Sequence, residues 1–184
     1  MFHTRWVRIW SVGHGTRPID DLIATLREAG VVTLADVRAQ PGSRRHPQFG
    51  QSALRASLTG AGIAYLHLPG LGGRRDPRPS SPHTALRVDA FRGYADHLGT
   101  TEFYDALAQL AAVAAATNTA FMCAETDWHS CHRRMLADAL AVSGWDVTHL
   151  IAAGKNEPHV VWDVARIVEG TLVYDGGAIP LPPQ

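Results

Sequence analysis

The sequence predicts an α/β domain: a mostly parallel sheet of about five strands with helices on both faces, three layers arranged in a Rossmann-like manner. Three observations carry this. Short apolar runs alternate with amphipathic stretches along the chain. The runs are hydrophobic almost without interruption, as strands buried on both faces must be. The length, 184 residues, is that of one ordinary domain.

The elements follow in order. Val7 to Val12 reads as a first strand, closed by Gly13-His14-Gly15. Pro18 to Ala29 reads as a helix, with Leu22, Ile23, Leu26 and Ala29 on one face and Gly30 as its stop. Val31 to Val37 is a second strand, Gln51 to Thr59 a short helix, and Ile63 to Leu68 a third strand. The Gly-, Pro- and Arg-rich stretch from Pro69 to Pro82 is expected to be a long mobile loop. Phe91 to Leu98 and Thr101 to Ala116 read as helices and Thr119 to Ala124 as a fourth strand. Cys131 to Val142 is expected to be a helix with Ser130 as its N-cap, and Val147 to Ile151 a fifth strand. Residues 1–153 form the domain, and residues 154–184 an extension packed on it. In the extension Val160 to Val168 is expected to be helical, and Leu172 to Pro180 a hairpin around Asp175-Gly176-Gly177.

Composition narrows the function classes. Two cysteines cannot build a disulfide framework, which favours a reducing, cytoplasmic setting. No run reaches the ~18 apolar residues of a spanning helix, so no membrane partner is expected. Seventeen basic and seventeen acidic residues cancel, which weakens bulk attraction to nucleic acid. All basic residues except Lys155 are arginine, the better bidentate binder of phosphate.

Ligands of open parallel sheets bind beyond the carboxyl ends of the strands. There the sequence places His14, then Asp36-Val37-Arg38 with Ser43, then Gly72-Gly73-Arg74, and finally Cys123-Ala124-Glu125. The last is followed by Trp128 and Cys131-His132-Arg133, the most informative segment in the chain. Three chemistries compete for it. In the first, Glu125 and Asp36 divide acid and base roles with His14 assisting, as paired carboxylates do in glycoside cleavage. Arg38 and Arg133 then clamp an anion, and His132, Trp128, Ser43, Gly73 and Arg74 line the substrate. In the second, Cys123 or Cys131 is a reactive thiol. In the third, Cys123, Cys131, His132 and His129 hold a metal. The short spacing of a paired-cysteine knuckle is absent, so neither metal nor cofactor is expected.

Taken together, Ser11-Val12-Gly13-His14-Gly15, Asp36-Val37-Arg38 with Pro41 and Ser43, Gly72-Gly73-Arg74, Met122-Cys123-Ala124-Glu125 and Cys131-His132-Arg133 resemble the domain of unknown function 488 family. The resemblance runs from about Ile9 to Ile151. It implies an α/β fold of bacterial proteins and no particular activity. Where the family more often has His-Ser, this chain has His14-Gly15. A looser likeness is to rhodanese-type sulfurtransferases, through Asp36-Val37-Arg38 and Cys123. Those enzymes wrap a compact loop around the cysteine, whereas here Cys131 comes eight positions later and Glu125 sets a negative charge beside the sulfur.

The leading expectation is a hydrolase or glycosidase-type enzyme acting on a nucleotide-like or nucleic-acid substrate. A thiol-dependent transferase using Cys123 and a non-catalytic module for nucleic acid or a phosphorylated ligand are the alternatives.

Overall fold

A computed structural model describes residues 7–42 and 44–177. Five strands run parallel: β1 (Val7–Gly13), β2 (Thr33–Asp36), β3 (Ala64–His67), β4 (Thr119–Cys123) and β5 (Trp145–Ala152). A sixth, β6 (Lys155–Pro158), folds back antiparallel on β5. The sheet order is β3-β2-β4-β1-β5-β6. Within the layered α/β class this order is distinctive, because β4 is inserted between β2 and β1, neighbours in a Rossmann sheet.

Side-chain alternation along each strand feeds two separate cores. Val12, Leu34, Ala120 and Met122 pack against α1 (Ile19–Glu28) and α2 (Gln51–Gly60) through Leu22, Leu26, Leu54 and Leu58. Ile9, Ala35, Phe121 and Cys123 face the opposite layer. That layer is α3 (Asp89–His97), α4 (Thr101–Ala116) and α5 (Arg133–Val142). Fully buried Leu110, Leu136 and Leu140 each contribute about 1.5–3 kcal/mol there. Thr100 caps α4 by accepting the Phe103 N–H at 3.2 Å, an interaction of about 1 kcal/mol.

This layering sets a topological switch point. β1 and β2 both lead into helices on one face, whereas β4 between them leads into α5 on the other. The point where the chain switches faces is the usual ligand position in such sheets, although two cavities of this fold lie elsewhere, one lined by Thr33, Tyr65 and Val113 and one by Gln51, Arg55 and Thr59. Cys123 ends β4 at that switch point.

Several expectations change. The segment after β3 is anchored rather than loose. It opens with a 3₁₀ turn at Pro69–Leu71, and Leu71 is fully buried. Tyr94 donates to Leu71 O, His97 donates to Gly70 O at 2.7 Å, and Asp96 accepts the Arg78 N–H. The expected helix over 160–168 does not form. Instead β7 (Ala165–Val168) and β8 (Thr171–Tyr174) make a hairpin turning at Glu169-Gly170, both with positive φ as a type I′ turn requires. Asp175 serves not as the turn but as the acceptor of Arg166 across the hairpin. The hairpin packs on the α3–α5 layer through Leu172 and Tyr174. No described helix is long and apolar enough to cross a membrane.

Candidate functional site

The strand ends meet because glycines let the chain cross itself. A Cβ at Gly13 would lie 1.8 Å from Glu125 O, and one at Gly15 would lie 2.1 Å from Thr126 Oγ1. Backbone bonds from His14 N–H to Cys123 O and from Gly15 N–H to Ala124 O fix that crossing. The loop after β1 therefore lies directly on the loop after β4.

At the β2 end, Asp36 is fully buried. It accepts Arg38 Nε at 2.8 Å, Arg38 NH2 at 2.6 Å, the Arg38 backbone N–H at 3.1 Å and Tyr65 OH at 2.8 Å. Burial, and then the carboxylate, push the Tyr65 phenol pKa up. Arg38 spends its other donors on Phe49 O and on His14 Nε2. His14 donates through Nδ1 to Gly15 O and stacks on Phe49 at 4.2 Å. Its pKa falls from the ordinary 6.5 to about 4, chiefly through burial, so it sits neutral with both nitrogens used. These groups form a closed internal brace. Asp36 has no room to act as a second carboxylate, and Arg38 is not available to clamp a ligand.

Arg133 is likewise internal, 1 % exposed. It donates to Ser11 Oγ at 2.9 Å, Glu125 O at 2.7 Å and Thr126 O at 3.4 Å, holding the β4 loop rather than a solvent anion. Trp128 lies between His149, stacked at 3.9 Å, and His129, stacked at 3.6 Å, and donates to Glu157 Oε2. It is thus filled on both faces and offers no open stacking platform. Arg74 is exposed with φ 60, next to Gly73, whose Cβ position lies 2.7 Å from His132 Nδ1. Ser43 lies outside the described residues.

What remains at the switch point is a tight group of four. Cys123 Sγ donates to Glu125 Oε2 at 2.8 Å, and Cys131 Sγ approaches the same oxygen at 3.3 Å. His132 Nδ1 stands 3.6 Å from Cys123 Sγ and 3.8 Å from Cys131 Sγ. Both sulfurs are buried, while Glu125 is exposed. The hydrogen bond with Cys131, burial and the negative charges of Cys131 and Glu125 all raise the Cys123 pKa. Burial opposes the Cys131 thiolate, but Cys123, His132 and Arg133 outweigh it and lower its pKa. His132 Nε2 is buried without a hydrogen-bond partner, as is Arg133 Nε.

The local chain explains the arrangement. α5 begins at Arg133, two residues later than the sequence suggests, so Cys131 and His132 belong to the preceding turn. Ser130 is not the cap: its hydroxyl donates to Asp127 Oδ2, and Asp127 Oδ1 accepts the His129 N–H, which tightens the turn. His132 takes the cap position without a capping bond.

The family model for the domain of unknown function DUF488 matches residues 18–140. The chain belongs to this family. No curated protein and no solved structure matches it.

One feature of this chain is not legible in its sequence. Arg133 donates to Ser11 Oγ, Ser11 Oγ donates to His149 Nδ1 at 2.9 Å, and His149 Nε2 donates to His159 Nδ1 at 3.0 Å. His159 Nε2 then donates to Asp138 Oδ1 at 2.8 Å, and Tyr174 OH donates to Asp138 Oδ2 at 2.9 Å. The whole chain points its hydrogens at one buried carboxylate. The available signal was Asp138 itself, an acid in the apolar helical run Met135 to Val142.

Proposed function

We propose that this DUF488 chain is a hydrolase-type enzyme acting on a nucleotide-like or nucleic-acid substrate, with Glu125 as its catalytic carboxylate. The observation that carries this reading is the contrast between two acids. Asp36 is buried and fully bonded, whereas Glu125 is exposed at the switch point beside two thiols and an imidazole. In the step envisaged, Glu125 takes a proton from water, the water oxygen bonds to the electrophilic substrate atom, and the leaving group departs with that proton. Exposed Arg74 beside the group, with Arg44 and Arg45 on the loop after β2, supports an anionic substrate. Two unpaired cysteines support a reducing, cytoplasmic setting.

A thiol transferase is less well supported, because the Cys123 sulfur is buried and its carboxylate neighbour opposes the thiolate. The test is hydrolysis of a panel of nucleosides, nucleotides and oligonucleotides. Glu125→Gln is expected to lose turnover at least about a hundredfold while unfolding at the same urea concentration. Unchanged turnover in that variant removes Glu125 from the chemistry.

A further inference from the structure

We propose that Cys123, Cys131 and His132, completed by Glu125, bind a thiolate-preferring divalent ion of the zinc class. Their four donor atoms lie within 4.8 Å of one another. The assignment stands on the geometry of these donors and does not rest on the hydrolytic reading. It also reverses the expectation from sequence, which looked for a short cysteine pair. Here the fold supplies the proximity, by ending β4 against the turn that starts α5.

The sulfur-to-imidazole distances suit an ion as they stand, whereas the 2.8 Å from Cys123 Sγ to Glu125 Oε2 is a thiol hydrogen bond that must open to about 3.5 Å when the proton is replaced by the metal. Zinc bonds of about 2.3 Å to sulfur and about 2.0 Å to nitrogen set a sulfur and a nitrogen ligand about 3.6 Å apart in a tetrahedron. The two sulfur-to-Nδ1 distances are 3.6 and 3.8 Å. Without an ion the same group is held by long or shared hydrogen bonds. Both thiols point at one carboxylate oxygen, and His132 Nδ1 makes only long contacts to the two sulfurs. A cation takes up the two sulfurs, the oxygen and the imidazole lone pair together.

The surroundings fit a bound thiolate. Arg133 N–H donates to Cys131 Sγ at 3.4 Å, and the N-terminus of α5 adds its positive end. Gly73 passes His132 Nδ1 with no side chain to fill the space, since a Cβ there would lie only 2.7 Å away. Two sulfurs and one nitrogen exclude magnesium and calcium, which need oxygen. The single exposed ligand, Glu125, is the one that water or substrate can displace. His129 is outside the group, being turned to Asp127 at 2.9 Å.

The experiment measures metal and thiols on the full chain purified without chelator or affinity tag. Elemental analysis is expected to find about one zinc per chain, with both cysteines unreactive to a thiol reagent until a chelator is added. Cobalt(II) added to the stripped protein is expected to give tetrahedral ligand-field bands and a thiolate charge-transfer band. Cys131→Ser and His132→Ala are expected to weaken zinc binding at least about a hundredfold. His129→Ala should leave the stoichiometry unchanged. Stripped wild-type protein that keeps two reactive thiols and binds neither zinc nor cobalt overturns the site, as does a Cys123–Cys131 disulfide that persists in reductant. Because these are wild-type measurements, a variant that fails to fold does not obscure them. Failure of the hydrolytic reading would leave metal content intact, whereas failure of the metal site would not restore or remove turnover of the stripped chain.

Discussion

Arg133 stands between two polar clusters. On one side run Ser11, His149, His159, Asp138 and Tyr174, each polar side-chain atom with a partner and every hydrogen directed to the next acceptor. On the other side sit Cys123, Glu125, Cys131 and His132, where one oxygen is oversubscribed and an imidazole nitrogen is left alone. Both are built from ionisable residues near the same helix terminus. The first is complete as a hydrogen-bond network, so it needs nothing from outside and acts as architecture. The second crowds two sulfurs and the Nδ1 face of one imidazole around a single carboxylate oxygen, an arrangement that a cation relieves. The lone His132 Nε2 lies on the far side of the ring. Counting partners, not counting unusual residues, separates the two.

The strongest way to break the comparison is Asp138→Ala. It leaves His159 Nε2, Tyr174 OH and the Trp162 N–H without their acceptor. The expected loss is about 3–5 kcal/mol of unfolding free energy in urea. A loss under about 1 kcal/mol would mean that the network is ornamental.

Acid should strain the same side. Burial first, then His159 and Arg133, lower the His149 pKa from 6.5 to about 2. His83 and His97 are lowered in the same direction, also chiefly by burial. Below pH 6.5 the unfolded chain therefore binds more protons than the native one, and stability must fall as pH falls towards those depressed values. The slope is up to about 1.4 kcal/mol per pH unit for each such histidine. A urea midpoint level from pH 7 to pH 5 would contradict the neutral assignment.

A smaller effect tests the crossing that joins the clusters. Gly15→Ser puts a Cβ against Thr126 at φ +54, with an expected cost of about 1–2 kcal/mol. Thr126→Gly should recover part of it; no recovery would place the strain elsewhere. Smallest of all, Arg74→Ala should shift stability by less than about 0.5 kcal/mol. It should nonetheless raise KM for an anionic substrate, and an unmoved KM would remove the arginine rim from recognition.

Much of this was legible in the sequence, for physical reasons. Strands buried on both faces are mainly apolar, so Thr119 to Ala124 announced itself, and Val7 to Val12 did so despite Arg8 and Ser11. The tail misled because Val160, Val161, Val164 and Val168 repeat at helical spacing. Their β-branched side chains and the Glu169-Gly170 turn nevertheless favour a hairpin. The segment from Cys123 to Arg133 was found, but the roles within it were not. An arginine at a strand or helix end can turn inward or outward, and no local pattern tells which. Arg38 turned in to meet Asp36, and Arg133 turned in to carry backbone carbonyls. Likewise nothing along the chain says that His149 and His159 share a proton path with Asp138, since they come together only when β5, the stretch after β6 and α5 pack.

The dependence of α5 on residues far along the chain has a practical corollary. The family match stops at residue 140 and begins at residue 18. Outside it lie β1, the interior strand between β4 and β5, and Glu157, His159 and Tyr174, which secure Trp128 and Asp138. The inherited segment is thus shorter than the cooperative one. A fragment trimmed to 18–140 would carry all four sulfur, nitrogen and oxygen donors, yet have no frame to hold them at working distance.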